Sequence, residues 1–130
     1  MDGVITYLNT DLDLTSDQDL TLLADAFKVG GAPPLHGVTR ADDGLFYAMF
    51  ETAESYNEPE PNIAVMVAIV ESLAAPRRLV WDGCSRREFN IGYDCGAEPW
   101  AFNQGLSSDL LGRVAALGAS LRVTLYPDRG

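Results

Sequence analysis

The sequence predicts an α+β domain, a two-layer sandwich in which helices cover one face of an antiparallel or mixed sheet. Three observations predict it. Segments in which apolar and polar residues alternate stand at the start, middle and end of the chain. Segments with apolar residues at helical spacing lie between them. The Asp-Gly pair at 43–44, set between two apolar runs, is a strong hairpin signal. Read in order, the elements are β-α-β-β-α-β, a ferredoxin-like sequence, followed by a further β-α-β unit. One domain over residues 1–130 accommodates all of them, at a length ordinary for a single core.

Val4 to Leu14 alternates so that Val4, Thr6, Leu8, Thr10, Leu12 and Leu14 share one face, as in a half-buried strand. Thr15 or Ser16 then offers a capping hydroxyl, and Leu20, Leu23, Ala24 and Phe27 recur at helical spacing, so a helix is expected from about 17 to 28. Gly30-Gly31 and Pro33-Pro34 stop it. Leu35–Arg40 and Leu45–Thr52 flank Ala41-Asp42-Asp43-Gly44 as the arms of a hairpin. Glu54 to Pro61 is acidic and broken by proline, hence an exposed loop. Ile63 to Ala74 fits both periods, and its length, its alanines and Pro61 at the start favour a helix that Pro76 ends. Apolar nearly all round, this helix must be covered by its own sheet or by a second copy in a homodimer.

Leu79-Val80-Trp81 and Phe89 to Tyr93 read as two short strands around Ser85-Arg86-Arg87. Cys95 to Pro99 is a turn, and Trp100-Ala101-Phe102 is a short apolar segment. Ser107 or Ser108 caps a helix over 109–117, Gly118 suits the left-handed position after it, and Leu121, Val123 and Leu125 alternate in a final strand. The stretches Tyr7–Val38 and Phe89–Val123 echo one another, either as a duplication or as two βαβ units with the same capping chemistry.

Charge narrows the functions. The chain has 19 acidic and 9 basic residues, a formal net charge of −10. Direct nucleic-acid binding is disfavoured, since it relies on basic side chains that neutralise phosphates. Residues 1–71 hold 13 acidic and 2 basic residues, against 6 and 7 in residues 72–130. An acidic patch of Asp11, Asp13, Asp17, Asp19, Glu54, Glu58 and Glu60 is therefore expected to steer a basic protein partner. The longest apolar run, Ile63–Val70, is too short to span a bilayer, and Met1-Asp2-Gly3 lacks a basic leader, so no membrane association and a cytoplasmic location are expected.

Catalytic signals are sparse. Asp11 to Asp19 has oxygen ligands at alternate positions, but an EF-hand loop begun at Asp11 would need Gly and Glu where Ser16 and Leu22 stand. Capping and surface charge explain these aspartates better, with a weak cation site as the sharper alternative. His36 is the only histidine, and no nucleophile motif accompanies it. Cys84 and Cys95 match no metal spacing and read as free thiols. Gly30-Gly31 follows a helix instead of opening one, so no phosphate loop, metal site or cofactor is expected. Arg77-Arg78 and Arg86-Arg87 are the basic cluster, suited to internal or intersubunit pairing. Arg87 to Gly105 mixes aromatic and amide side chains as a recognition surface does.

The closing pattern consists of Phe89-Asn90-Ile91-Gly92-Tyr93-Asp94, a Trp-containing turn, Gly105-Leu106-Ser107, a Leu-rich helix and Gly118 to Tyr126. It resembles small uncharacterised bacterial α+β proteins, some of them grouped with immunity proteins of polymorphic toxin systems. The resemblance covers about the last third of the chain and carries no catalytic motif. It implies a cytoplasmic, non-enzymatic protein that blocks a basic toxin. The alternatives are a small-molecule sensor or enzyme, with a pocket lined by Tyr7, Tyr47, Trp81, Tyr93 and Trp100, and an oligomer-building protein that pairs through residues 63–74.

Overall fold

The structure is a computed structural model that describes residues 3–127. Over these residues the order is β1 (Thr6–Ser16), α1 (Thr21–Val29), β2 (Pro34–Arg40), β3 (Phe46–Phe50), α2 (Pro59–Glu71), α3 (Ala75–Asp82), β4 (Arg86–Asp94), α4 (Ser108–Ala116) and β5 (Ser120–Tyr126). The strands form one mixed sheet in the order β2-β3-β1-β4-β5. Every neighbouring pair is antiparallel except β4 and β5, which run parallel. The α+β class therefore holds, as a sheet with helices packed on one of its faces. Among the described residues no helix is long and apolar enough to cross a membrane.

The core lies between the sheet and its helices. Leu12 and Leu14 of β1, Phe50 of β3, and Phe89 and Ile91 of β4 face Leu23, Phe27, Ile63, Met66, Val67 and Val70 of α1 and α2. Phe27 stacks on Phe50 with ring centroids 4.4 Å apart. α2 buries Ile63, Met66, Val67, Ile69 and Val70 within its own chain, because β1 lies beneath it and α1 and α4 flank it. Of the 63–74 segment, Ala64, Val65 and Leu73 are half-buried and Ala68 and Ala74 exposed, so its larger apolar side chains are covered mainly by its own sheet and helices.

Four expectations are corrected. Leu79-Val80-Trp81 lies in α3, not in a strand: Pro76 occupies the first turn, where its missing N–H is no loss, so it opens a helix here. A run of three apolar residues cannot distinguish the two periods. The first helix starts at Thr21, not near 17, because β1 continues through Ser16; Asp19 Oδ1 then accepts from the Thr21 N–H at 2.8 Å. The apolar face of the first strand changes at Leu8, where the pairing with β4 skips a residue. Tyr7 therefore points inward with Thr10, Leu12 and Leu14, while Val4, Thr6 and Leu8 are exposed. Finally, with 79–81 helical, β4 follows α2 and α3 directly, so the order expected as β-α-β-β-α-β plus a further β-α-β unit has one strand fewer.

Other local signals are realised. Gly44 holds the hairpin turn at φ 82°, a left-handed value open to glycine without strain, and Asp43 accepts from the Leu45 N–H. Ser107 caps α4 by accepting from the Leu110 N–H at 3.1 Å. Arg87 donates to the Trp81, Asp82 and Cys84 carbonyls at the end of α3 and to Gly118 O, so one residue of the basic cluster closes a helix C-terminus. Cys84 is buried and Cys95 half-buried, and both are free thiols.

A buried polar knot ties the halves of the core. Asn62, 1% exposed in the first turn of α2, accepts at Oδ1 from the Tyr7 hydroxyl (2.6 Å) and from the Thr10 N–H (3.0 Å). Its Nδ2 donates to Thr52 Oγ1 at 2.8 Å. Thr10 Oγ1 completes the knot 2.6 Å from the Tyr7 oxygen. Asn62→Ala removes three hydrogen bonds and leaves the buried Thr10 N–H without a partner, while Tyr7 keeps Thr10 Oγ1 and Thr52 keeps Glu54 O. Unfolding in urea is expected to show a loss of about 2–3 kcal/mol. A loss below about 0.5 kcal/mol, the range of an ordinary surface substitution, would contradict this account.

Candidate functional site

Two regions outside the core carry chemistry, and they lie on opposite faces of the sheet. The helix-free face holds the ionic groups. Alternation places Asn9, Asp11 and Asp13 of β1, Glu51 just beyond β3, and Arg86, Glu88 and Asn90 of β4 on it. Arg122 and Thr124 of β5 continue the row. Glu88 Oε1 accepts from Arg86 at 2.6 Å and from Arg122 at 2.7 Å, and Asp13 lies 3.6 Å from Arg86. Both guanidinium groups hold the Glu88 carboxyl below its usual range. Burial raises that of Asp13 against the pull of Arg86.

Asp11 and Glu51 form a different kind of pair. The Asn9 amide donates to both, at 3.2 Å to Asp11 and 2.6 Å to Glu51. Burial raises the Asp11 carboxyl to about 7, and the Glu51 carboxyl adds to this through hydrogen bonding and repulsion. A carboxyl that is partly desolvated beside a second acid ionises less readily than it would in water, and the main cause here is burial.

The second region is a cleft on the helix-bearing face, at the β4–β5 end. β5 turns Leu121, Val123 and Leu125 toward that face, but α4 does not reach across them, and they stay 37%, 59% and 61% exposed. The 95–106 loop comes over the adjoining part of β4. Phe102 meets the Tyr93 ring edge-on at 5.9 Å, and Tyr93 in turn meets Tyr7 at 5.5 Å. Gln104 accepts from the Tyr93 hydroxyl at 3.0 Å and donates to Asn57 O at 2.8 Å, which anchors the loop to the start of α2. Gly96 is required where the loop crosses the amino end of the chain, since a side chain there would collide with the Gly3 backbone. The resulting cleft has a volume of about 660 Å³, and no charged residue lines it. Its walls are chiefly Ile91, Tyr93, Phe102, Leu106, Leu121 and Val123.

The structure separates the residues singled out from the sequence. Of the five pocket aromatics only Tyr93 lines the cleft. Tyr7 is buried beneath it, Trp81 lies in the core with Nε1 donating to Leu117 O at 2.9 Å, and Tyr47 sits on the ionic face bonded to Asp43. Trp100 is 99% exposed. The seven acidic residues do not form one patch either. Asp11 and Asp13 lie mid-strand on the ionic face, Asp17 and Asp19 follow one end of β1, and Glu54 and Glu58 lie in the β3–α2 loop at the other end. Glu60 is engaged by the N–H and hydroxyl of Ser107, which lower its carboxyl. Among the described residues no group of three or more His, Cys, Asp or Glu side chains is placed together as metal ligands. Phe102, Leu106 and β5 were missed as a site because nothing in an apolar alternation says that one end of a sheet lacks its cover.

Comparison with protein-family models, with curated proteins and with solved structures finds no match for this chain.

The Asp11–Glu51 pair sets a pH dependence of stability. The Asp11 carboxyl titrates near 3.8 when unfolded and near 7 when folded, so the native state binds the extra proton. Its contribution is fully present below the lower value and is lost as pH rises through the higher one. Asp11→Asn removes that loss: its Tm is expected to match that of the parent near pH 4 and to exceed it above pH 7. Equal Tm values across that range would exclude a raised Asp11 carboxyl.

Proposed function

We propose that the chain is a binding protein for an uncharged, largely apolar small molecule, held in the cleft between β5 and the 95–106 loop. One observation carries this reading: a molecule of net charge −10 keeps a half-open cleft of about 660 Å³ free of charged side chains. That size and lining suit a small ligand, with the Tyr93 hydroxyl and Gln104 amide as the polar groups that orient it. An anionic ligand would meet the field of the protein without a cation to receive it.

The reading is tested with N-phenyl-1-naphthylamine, a neutral apolar fluorophore. Saturable binding is expected, weakened by about tenfold in Leu111→Glu, which sets a charge at the cleft rim. Unsaturable binding, or binding indifferent to that substitution, counts against the cleft.

A second reading is capture of a basic protein, as the resemblance to immunity proteins implies, and one observation favours it. Trp100 stands almost fully exposed on the same loop, where an aromatic anchor would lie in an interface. Affinity capture at low salt is then expected to retain a single basic protein that raised salt and Trp100→Ala both release. Retention unaffected by Trp100→Ala would end this reading. The free thiols of Cys84 and Cys95 support a reducing, cytoplasmic setting. The spatial order β4-β1-β3-β2, with α1 and α2 over it, supports describing the framework as ferredoxin-like, extended at one edge by α4 and β5.

A further inference from the structure

β5 ends the sheet, and among the described residues no strand pairs with its outer edge. The two edges are built differently. β2 is irregular, with a register break between Leu35 and Thr39 and left-handed φ values at His36 and Gly37, which hinders pairing with another strand. β5 pairs in unbroken register with β4 over all seven of its residues and contains no proline. Such an edge is a template for a further strand.

Charge and side-chain order indicate which strand. Arg122 is the only ionisable group on β5 besides Tyr126, and Glu88 already pairs with it. The edge is thus locally neutral on a molecule of net charge −10, so it offers a basic partner nothing to recognise. The strand is also nearly symmetric about its centre. Antiparallel pairing with an identical strand, centred on Val123, sets Val123 against Val123 and Leu121 against Leu125 of the second copy on the apolar side. On the polar side it sets Arg122 against Thr124 and Ser120 against Tyr126. A slide of two residues in one direction would oppose Arg122 to Arg122, so charge selects among registers.

We propose that β5 pairs antiparallel with β5 of a second copy about a two-fold axis at Val123, joining both sheets into one and covering part of Leu121, Val123 and Leu125. The interface is isologous, as closed dimers require. It does not depend on the ligand reading, because its readout is mass and not fluorophore binding.

Sedimentation velocity across a wide concentration range, at low and raised salt, tests it. A monomer–dimer equilibrium is expected, shifted toward dimer by salt, because screening relieves repulsion between two acidic copies. Val123→Lys places two like charges at the axis and is expected to give monomer. Its side chain is already exposed, and circular dichroism verifies the fold. Thr124→Glu, which meets Arg122 of the second copy, is expected to tighten the dimer about fivefold, and Thr124→Arg to loosen it by a similar factor. A monomer at every concentration and both salts, a dimer that survives Val123→Lys, or shifts of the same sign for both Thr124 variants would overturn the proposal.

Discussion

Asn62 does what no apolar residue in the core could do: it answers the backbone of β1 where that strand leaves its regular pairing. The bulge at Leu8 shifts the register against β4, and the Thr10 N–H finds the Asn62 carbonyl on the neighbouring helix. A buried amide left without such a partner would cost about 1–3 kcal/mol. The same oxygen accepts from Tyr7, and the same side chain holds Thr52 at the end of β3. One residue therefore seats the first turn of α2 on two strands and fixes the side to which Tyr7 points.

The consequences reach the cleft. Tyr7, turned inward, supplies the ring against which Tyr93 packs, and Tyr93 in turn receives Phe102 and Gln104 from the long loop. Had the strand kept strict alternation, Tyr7 would lie on the ionic face and Leu8 would take its place. The wall of the cleft is thus continuous, through two aromatic contacts, with the polar knot at the start of α2.

Electrostatics are distributed with similar economy. The basic residues of the second half are largely engaged: Arg87 closes α3, Arg113 meets Glu71 at 2.7 Å, and Arg86 and Arg122 share Glu88. The acidic residues in excess lie mainly on β1 and in the turns and loops at the ends of β1 and β3. The sheet consequently grades from an acidic middle, where burial raises the Asp11 carboxyl, to a neutral β5 edge. Apolar recognition at β5 and ionic behaviour on the opposite face can therefore vary independently.

The α+β class, the Asp-Gly hairpin, the Ser107 cap, the helix over most of 63–74 and the parity of β4 and β5 were legible in the sequence, because each rests on residues adjacent along the chain. Period, capping hydroxyls and turn glycines act over a few residues, and their chemistry is the same in any fold. The bulge at Leu8 was not legible, since it is an irregularity in the pairing with β4, which is far away in sequence. The strand expected at 79–81 failed because three apolar residues suit either period, and in the fold Trp81 lies buried on α3 with Nε1 donating to Leu117 O. The expected acidic patch and aromatic pocket dispersed for a related reason: strand order and strand face determine which residues become neighbours, and these follow from pairing over long separations. That β5 lacks full cover, so that its apolar side chains form a cleft and an open edge instead of core, depends on how far α4 extends over the sheet. Only the tertiary structure decides that.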